Sequence, residues 1–137
     1  MIRKAIKNDI KVLEGLQEFI ESLEIDILKN YSIVKIQDIL KFVFLSEDDR
    51  FSYKNCMVYE NDGKIKGFSF SYHYNEVEKM KKFWFNEVVK KFNLKQDDII
   101  FDYNEVLEKE FYLDILYVFS EYRGEGVGNK LLASFVN

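Results

Sequence analysis

Residues 111–137 read FYLDILYVFSEYRGEGVGNKLLASFVN. The segment as far as Phe119 is aromatic, β-branched or aliphatic except for Asp114, which predicts a largely buried strand. A short polar corner follows, and then glycines stand at the alternate positions 124, 126 and 128. Leucine, phenylalanine and valine recur after them at helical spacing, at positions 131, 132, 135 and 136. The order is therefore strand, glycine-rich turn, helix.

This order suits the binding of an anion. The first turn of a helix leaves backbone N–H groups unpaired and carries the positive end of the helix dipole. Glycines let a phosphate approach these N–H groups closely because no Cβ intervenes. Arg123 adds a fixed cation just ahead of the turn, with a fork of donors that matches phosphate oxygens. The stretch thus predicts a site for a ligand that bears a pyrophosphate.

The register of the glycines distinguishes between known phosphate loops. A P-loop requires Gly-Lys followed by Ser or Thr, but Leu131 occupies the position of the hydroxyl. The dinucleotide fingerprint and the kinase loop require Gly-x-Gly-x-x-Gly, whereas Asn129 follows Gly-x-Gly-x-Gly here. The spacing that fits is Arg-x-x-Gly-x-Gly, which Arg123, Gly126 and Gly128 satisfy. A solvated structural turn is the alternative to a phosphate site.

Residues 112–118 followed by 121–132 resemble motif A of the GNAT superfamily of N-acetyltransferases, and residues 1–10, MIRKAIKNDI, are similar to its first strand and helix start. The resemblance implies an α/β (α+β) fold in which a mixed, mostly antiparallel sheet is flanked by helices, as one domain over residues 1–137. It implies acetyl-CoA as co-substrate, an amine as acceptor and no metal. One departure is that the family usually has proline in the corner where this chain has Phe119-Ser120.

The resemblance also implies where acetyl-CoA binds. Its pyrophosphate is expected at the turn formed by Arg123, Gly124, Glu125, Gly126, Val127 and Gly128. Its pantetheine is expected to pair like an additional strand with the backbone near Leu116, Tyr117 and Val118, where an N–H could polarise the thioester oxygen. Asp114 and Glu110 are the carboxylates nearest this site in sequence and are therefore candidate catalytic residues. A purely structural role is the alternative for both.

The charge of residues 95–114 indicates which class of amine the protein accepts. Residues 95–114 carry seven acidic side chains against two lysines, and in folds of this kind the segment lies beside the acceptor site. An acidic, aromatic lining would favour a small cationic amine through its field and cation–π contacts, whereas a solvated cover is the alternative. Residues 46–50, SEDDR, are predicted to form a solvated loop, with a surface for a cationic substrate as the alternative.

The remaining elements follow from periodicity. Ile2–Ile6 is predicted to be a strand, and Asn8 or Asp9 is predicted to cap the helix after it. A second helix is expected over about 34–44, and Asp-Gly at 62–63 predicts a hairpin between two strands. A longer helix, of up to about five turns, is expected after Asn75.

Composition excludes several classes of protein. A hydrophobic content of 47% with 32% charged residues indicates a soluble globular chain. The net charge of −4 argues against nucleic acid as the main ligand. The apolar runs are much shorter than the roughly 20 residues of a membrane helix, and no leader pattern opens the chain. Because the single cysteine, Cys56, cannot form an internal disulfide, a cytoplasmic location is expected.

The chain departs from the family at its end, where the fifth strand, fourth helix and final hairpin of the family have no counterpart. We therefore expect a domain that is incomplete after the motif A helix, with weak turnover and an open strand edge through which two copies could pair as a homodimer. The function expected is acetyl transfer from acetyl-CoA to a small cationic amine. The alternative is a non-catalytic acyl-CoA-binding or dimerising module.

Overall fold

The structure is a computed structural model that describes residues 1–100 and 111–136. The order of its main elements is β1 (Ile2–Lys4), α1 (Lys11–Ser22), α2 (Asp26–Asn30), α3 (Ile33–Leu45), β2 (Cys56–Asn61), β3 (Lys64–His73), α4 (Val77–Phe83), α5 (Val89–Lys91), β4 (Phe111–Val118) and α6 (Val127–Val136). A π-helical turn, Trp84–Val88, joins α4 to α5. The predicted long helix after Asn75 is therefore confirmed as one helical run with a widened turn inside it.

The strands form one sheet in the order β1-β2-β3-β4, and all neighbours are antiparallel. Helices pack on both faces, so the predicted antiparallel sheet flanked by helices is confirmed. The predicted hairpin joins β2 to β3 through Asp62 and Gly63, both with positive φ, as a two-residue hairpin turn requires. Within the described ranges, β4 has a strand on one side only, so its other edge is open.

The two faces of the sheet are covered by different helices. Phe68, Phe70, Ile115 and Tyr117 belong to the main core with α1 and α3. On the opposite face α6 packs Val127 and Leu131 against a smaller cluster from the strands, which includes Tyr59, Leu116 and Val118. The pair β3–β4 is thus held between α1 and α6. No helix in the described ranges is both long and apolar enough to cross a bilayer.

Gly67 sets how closely α6 approaches the sheet. A Cβ at this position would lie 2.8 Å from the Tyr117 carbonyl oxygen and 2.9 Å from Val127 Cγ1. Any side chain would therefore push α6 away from β3. Tyr59 pairs with Gly67 while Glu60 pairs with Ile65, so β3 also has a bulge beside this glycine.

The predicted helix cap is wrong. α1 begins at Lys11 after Ile10, without a side-chain cap. The Asp9 carboxylate instead accepts hydrogen bonds from two guanidinium nitrogens of Arg3, both at 2.9 Å, and from the Ile6 amide at 2.7 Å. A bidentate, charge-assisted contact with Arg3 is stronger than a neutral capping bond. Asp9 is therefore used to join β1 to the start of α1.

The predicted solvated loop at residues 46–50 is wrong for its last two residues. Asp49 and Arg50 are only 1% and 2% exposed. Arg50 Nε and Nη2 lie 3.0 and 3.1 Å from the two carboxylate oxygens of Asp114, and Nη2 also donates to the Tyr72 hydroxyl at 2.9 Å. An ionised carboxylate in the core is stable only when a cation pairs with it. Arg50 is therefore buried because it pairs with Asp114.

Candidate active site

The turn after β4 has the conformation that its glycines allow. Gly124 and Gly126 have φ values of +87° and +84°, in a region that other residues rarely adopt. A Cβ built on either glycine would meet no heavy atom within 4 Å. The backbone conformation therefore requires glycine here, and the space in front of the turn is open to a ligand.

The start of α6 supplies unpaired backbone donors to this space. The first bond within the helix runs from the Lys130 amide to the Gly126 carbonyl oxygen, at 3.1 Å. The amides of Val127, Gly128 and Asn129 therefore have no acceptor inside the helix. These three residues line a shallow cavity of about 450 Å³ together with the turn. A helix start of this kind binds anions through its N–H groups and its dipole.

The charged residues of the turn are held by their neighbours. Arg123 Nε donates to the Val118 carbonyl oxygen at 2.9 Å, and its guanidinium carbon lies 5.5 Å from the centre of the Tyr117 ring. Glu125, the carboxylate within the turn, lies 3.5 Å from Lys66 Nζ. The structure thus places Arg123 on the β4 side of the turn, and Lys66 partly offsets the charge that would oppose an anion there.

The open edge of β4 presents the peptides of alternate residues. The Phe119 amide donates to the Lys66 carbonyl oxygen at 3.0 Å, so it points toward β3. Peptides alternate in direction along an antiparallel strand. Leu116 and Val118 therefore direct their N–H and C=O groups to the open edge, in agreement with the contact from Arg123. The Tyr117 peptide faces β3, so the structure brings two of the three residues predicted to pair with pantetheine to this edge.

Asp114 lies in a bulge of β4. Phe70 pairs with Ile115 and Ser71 with Leu113, so Asp114 is an additional residue in the strand. A bulge re-aims a side chain, and this one turns Asp114 to the same face as Ile115, where it meets Arg50. The Asp114 side chain is 5% exposed. Protonation would remove the charge that balances Arg50, so this environment is typical of a structural carboxylate. Glu110, the other candidate, lies outside the described residues.

The structure also joins Glu18 to Tyr117, which sequence reasoning missed. α1 crosses β4 at Gly15, where a Cβ would lie 2.5 Å from Phe68 Cε2 and 2.9 Å from Tyr117 Cδ1. One turn further along α1, the Glu18 carboxylate accepts a hydrogen bond from the Tyr117 hydroxyl. Burial, followed by this hydrogen bond, raises the pKa of Tyr117 to about 12. The signal was Gly15, since a glycine inside a regular helix indicates a close approach.

The structure also shows the surroundings of three further polar side chains, those of His73, Cys56 and Asp98. His73 Nδ1 accepts a hydrogen bond from the Asn75 amide at 3.1 Å. Cys56 is buried, and the burial raises the pKa of its thiol. Asp98, from the acidic segment, accepts from the Lys95 amide at 2.7 Å and from the Tyr31 hydroxyl. In residues 1–100 and 111–136 no group of three or more His, Cys, Asp or Glu side chains is arranged to hold a metal.

The comparisons with known proteins concern the fold. No family model matches the sequence, and no curated protein matches it. The structure is similar to the crystal structure of an N-acetyltransferase from Staphylococcus aureus Mu50, with a TM-score of 0.81 and 24% identity over 99% of this chain and 74% of that chain. A second solved structure, of an acetyltransferase, has a TM-score of 0.80 and 28% identity over 98% of this chain and 71% of that chain. The chain therefore has a GNAT-like fold, as its motif A predicts.

Proposed function

We propose that this chain is an acetyl-CoA-dependent N-acetyltransferase that acts on a small cationic amine. One observation carries the proposal. The left-handed glycine turn and the free amides of α6 lie at the end of a strand with an open edge, in a fold shared with two solved acetyltransferases. The non-catalytic alternative is not favoured, because both of those structures are described as acetyltransferases.

The residues present fit the two polar parts of acetyl-CoA. The pyrophosphate fits the turn from Gly124 to Gly128, where N–H groups face open space. The pantetheine arm carries amides, and Leu116 and Val118 offer it backbone donors and acceptors at the edge of β4. When bound, acetyl-CoA supplies a thioester whose acetyl group is transferred to the amine.

The residues of this chain bind acetyl-CoA, orient its thioester and polarise the thioester carbonyl. An amide of Leu116 or Val118 is a fixed dipole, and such a donor stabilises the negative charge that develops on a carbonyl oxygen during acyl transfer. Tyr117 and α1 cover the face of β4 that lies opposite α6. Of the two predicted catalytic carboxylates, we assign Asp114 to holding the β4 bulge through Arg50.

The open edge of β4 is also the surface through which we propose that two copies of the chain could pair. A homodimer that paired through β4 would use the amides assigned to acetyl-CoA, so the two would compete. A cytoplasmic location without a nucleic-acid partner is also part of the proposal, supported by the net charge of −4 and the single buried cysteine.

The test of cofactor binding is calorimetric titration of acetyl-CoA into Gly126→Val, with Gly63→Val as the matched control. Both glycines have positive φ, +84° and +72°, and neither has a heavy atom within 4 Å of a built Cβ. The two substitutions should therefore strain the backbone alike, while only Gly126 lies at the phosphate turn. We expect acetyl-CoA affinity to be lost in Gly126→Val and retained in Gly63→Val. Unchanged affinity in a folded Gly126→Val protein would overturn the assignment.

The test of activity is an acetyl-transfer assay. Thiol release from acetyl-CoA is followed with a panel of polyamines, neutral amines and amino acids as acceptors. We expect release only with cationic amines. Acetyl-CoA binding without release by any amine would favour the non-catalytic alternative instead.

A further inference from the structure

Lys66 stands at a bulge of β3 beside the glycine turn that follows β4. Ile65 and Gly67 pair with consecutive residues of β2, so Lys66 between them is an additional residue in the strand. A bulge re-aims a side chain and is frequent next to functional sites. Here the Lys66 ammonium lies 3.5 Å from the Glu125 carboxylate and 4.9 Å from the centre of the Tyr122 ring. The bulge therefore brings a cation of β3 to the turn.

Both the side chain and the backbone of Lys66 are held in this place. The Lys66 side chain is 15% exposed, whereas that of Glu125 is 51% exposed. The ring of Tyr122 attracts the ammonium as a cation–π partner. The Lys66 carbonyl oxygen accepts a hydrogen bond from the Phe119 amide at 3.0 Å, which fixes the bulge to the residue directly after β4. The ammonium is therefore positioned at Glu125 before any ligand binds.

Glu125 opposes the binding of an anion at the turn. It stands between Gly124 and Gly126, whose positive φ values shape the turn, and it is the only carboxylate in residues 123–128. Its charge repels a phosphate, and salt screens this repulsion little over the short distances within one turn. An unpaired Glu125 would therefore weaken the binding of a phosphate at the first amides of α6. The ion pair with Lys66 offsets this repulsion.

We propose that Lys66 is a positioning residue of the phosphate turn, which it ties to β3 and keeps receptive to a pyrophosphate by pairing with Glu125. This inference rests on the proposed function, because the turn is the expected site of the acetyl-CoA pyrophosphate. Lys66 acts through Glu125 and makes no contact with the ligand in this assignment. Removal of Lys66 alone leaves the charge of Glu125 unbalanced, whereas removal of both charges does not. The effects of the two substitutions should therefore be non-additive.

The test uses inorganic pyrophosphate as the probe. It is titrated into the full chain at low ionic strength and followed by the NMR shifts of the amides of residues 124–129, and the same spectra show that each variant is folded. Lys66→Gln should weaken binding about three- to tenfold, the scale of one unbalanced charge near an anion at a partly exposed site. Lys66→Arg keeps the cation and should bind like the wild-type protein. Lys66→Gln combined with Glu125→Gln should bind within about twofold of Glu125→Gln alone.

Lys64→Gln is the matched control, since it removes the same charge from the hairpin end of β3, where Lys64 is exposed and pairs with Asn61. We expect it to bind pyrophosphate like the wild-type protein. Wild-type affinity in Lys66→Gln, an equal loss in Lys64→Gln, or a loss that persists when Glu125→Gln is added would overturn the proposal. So would a wild-type protein that does not bind pyrophosphate.

Acetyl-CoA titrations of the same proteins separate the two inferences. A wild-type protein that binds pyrophosphate with the expected dependence on Lys66, but does not bind acetyl-CoA, counts against the proposed function alone. A wild-type protein that binds acetyl-CoA with an affinity that Lys66→Gln leaves unchanged counts against the role of Lys66 alone. Loss of affinity for both ligands in Lys66→Gln, restored for both by Glu125→Gln, supports the two inferences together.

Discussion

Replacing Asp49 by asparagine is expected to remove a pH-dependent loss of stability. Asp49 is 1% exposed, and burial raises the pKa of its carboxyl to about 7, although the Phe51 amide and Arg50 oppose this shift. The Phe51 amide donates to Asp49 Oδ2 at 2.8 Å. Asparagine keeps an acceptor oxygen for this bond but cannot ionise. The substitution therefore tests the charge with little change in shape.

The direction in which stability changes with pH follows from the pKa of Asp49 in the unfolded chain and in the folded protein. In the unfolded chain Asp49 loses its proton near the ordinary value of 3.8, whereas in the folded protein it holds the proton up to about pH 7. The stability associated with the neutral carboxyl is fully present below pH 3.8, falls as the pH rises toward 7 and stays lost above it. A difference of about three pKa units corresponds to about 4 kcal/mol in the free energy of unfolding.

The assay is urea unfolding of the wild-type protein and Asp49→Asn at pH 4, 6 and 8. Groups distant from Asp49 contribute equally in both proteins, so the difference between the two free energies of unfolding reports the ionisation of Asp49. We expect this difference to grow in favour of Asp49→Asn by about 2–4 kcal/mol between pH 4 and pH 8. Asp48→Asn is the control, since Asp48 is half-exposed and contacts Lys79 only at 3.7 Å. A difference that stays constant with pH would refute the reasoning.

Two further predictions concern the charged residues of β4 and its turn. Arg123→Ala should weaken acetyl-CoA binding by about 1–3 kcal/mol, the scale of a lost charge-assisted hydrogen bond, and should reduce its salt dependence in calorimetry at two ionic strengths. Retained affinity with lost turnover would place Arg123 in the chemistry instead. Asp114→Asn should lower the free energy of unfolding by about 3–5 kcal/mol, because it removes one partner of a buried ion pair. A stable Asp114→Asn protein that has lost turnover would restore Asp114 as a catalytic residue.

The features that the sequence predicted well are determined locally. β4 could be recognised because its apolar residues are contiguous, and the turn because the spacing of Arg123, Gly126 and Gly128 fits a single phosphate loop. The hairpin depends on Asp62 and Gly63, which accept positive φ. In each case the residues that carry the signal are the residues that adopt the conformation. No distant partner is needed to interpret them.

The features that the sequence did not predict depend on distant partners. Asp49 and Arg50 lie in a charged run that is typical of a solvated loop, yet Asp114, on a strand far along the chain, draws Arg50 into the core. Glu18 is one of several similar glutamates on α1, and only its contact with Tyr117 separates it from them. A charged residue in the sequence must contact either an oppositely charged partner or solvent. The sequence alone does not show which of these two environments the fold provides.

β4 explains why a short segment can carry both the core and the candidate site. Beyond the bulge, Leu116 and Val118 place their side chains under α6 and their peptides at the open edge, while Tyr117 reaches α1 and orients Glu18. A shift of one residue would exchange these roles, since side chains and peptides alternate along a strand. The bulge at Asp114 sets that register, and the ion pair with Arg50 holds the bulge in place. We therefore expect the buried pair to support the candidate site through the alignment of the strand rather than through contact with a substrate.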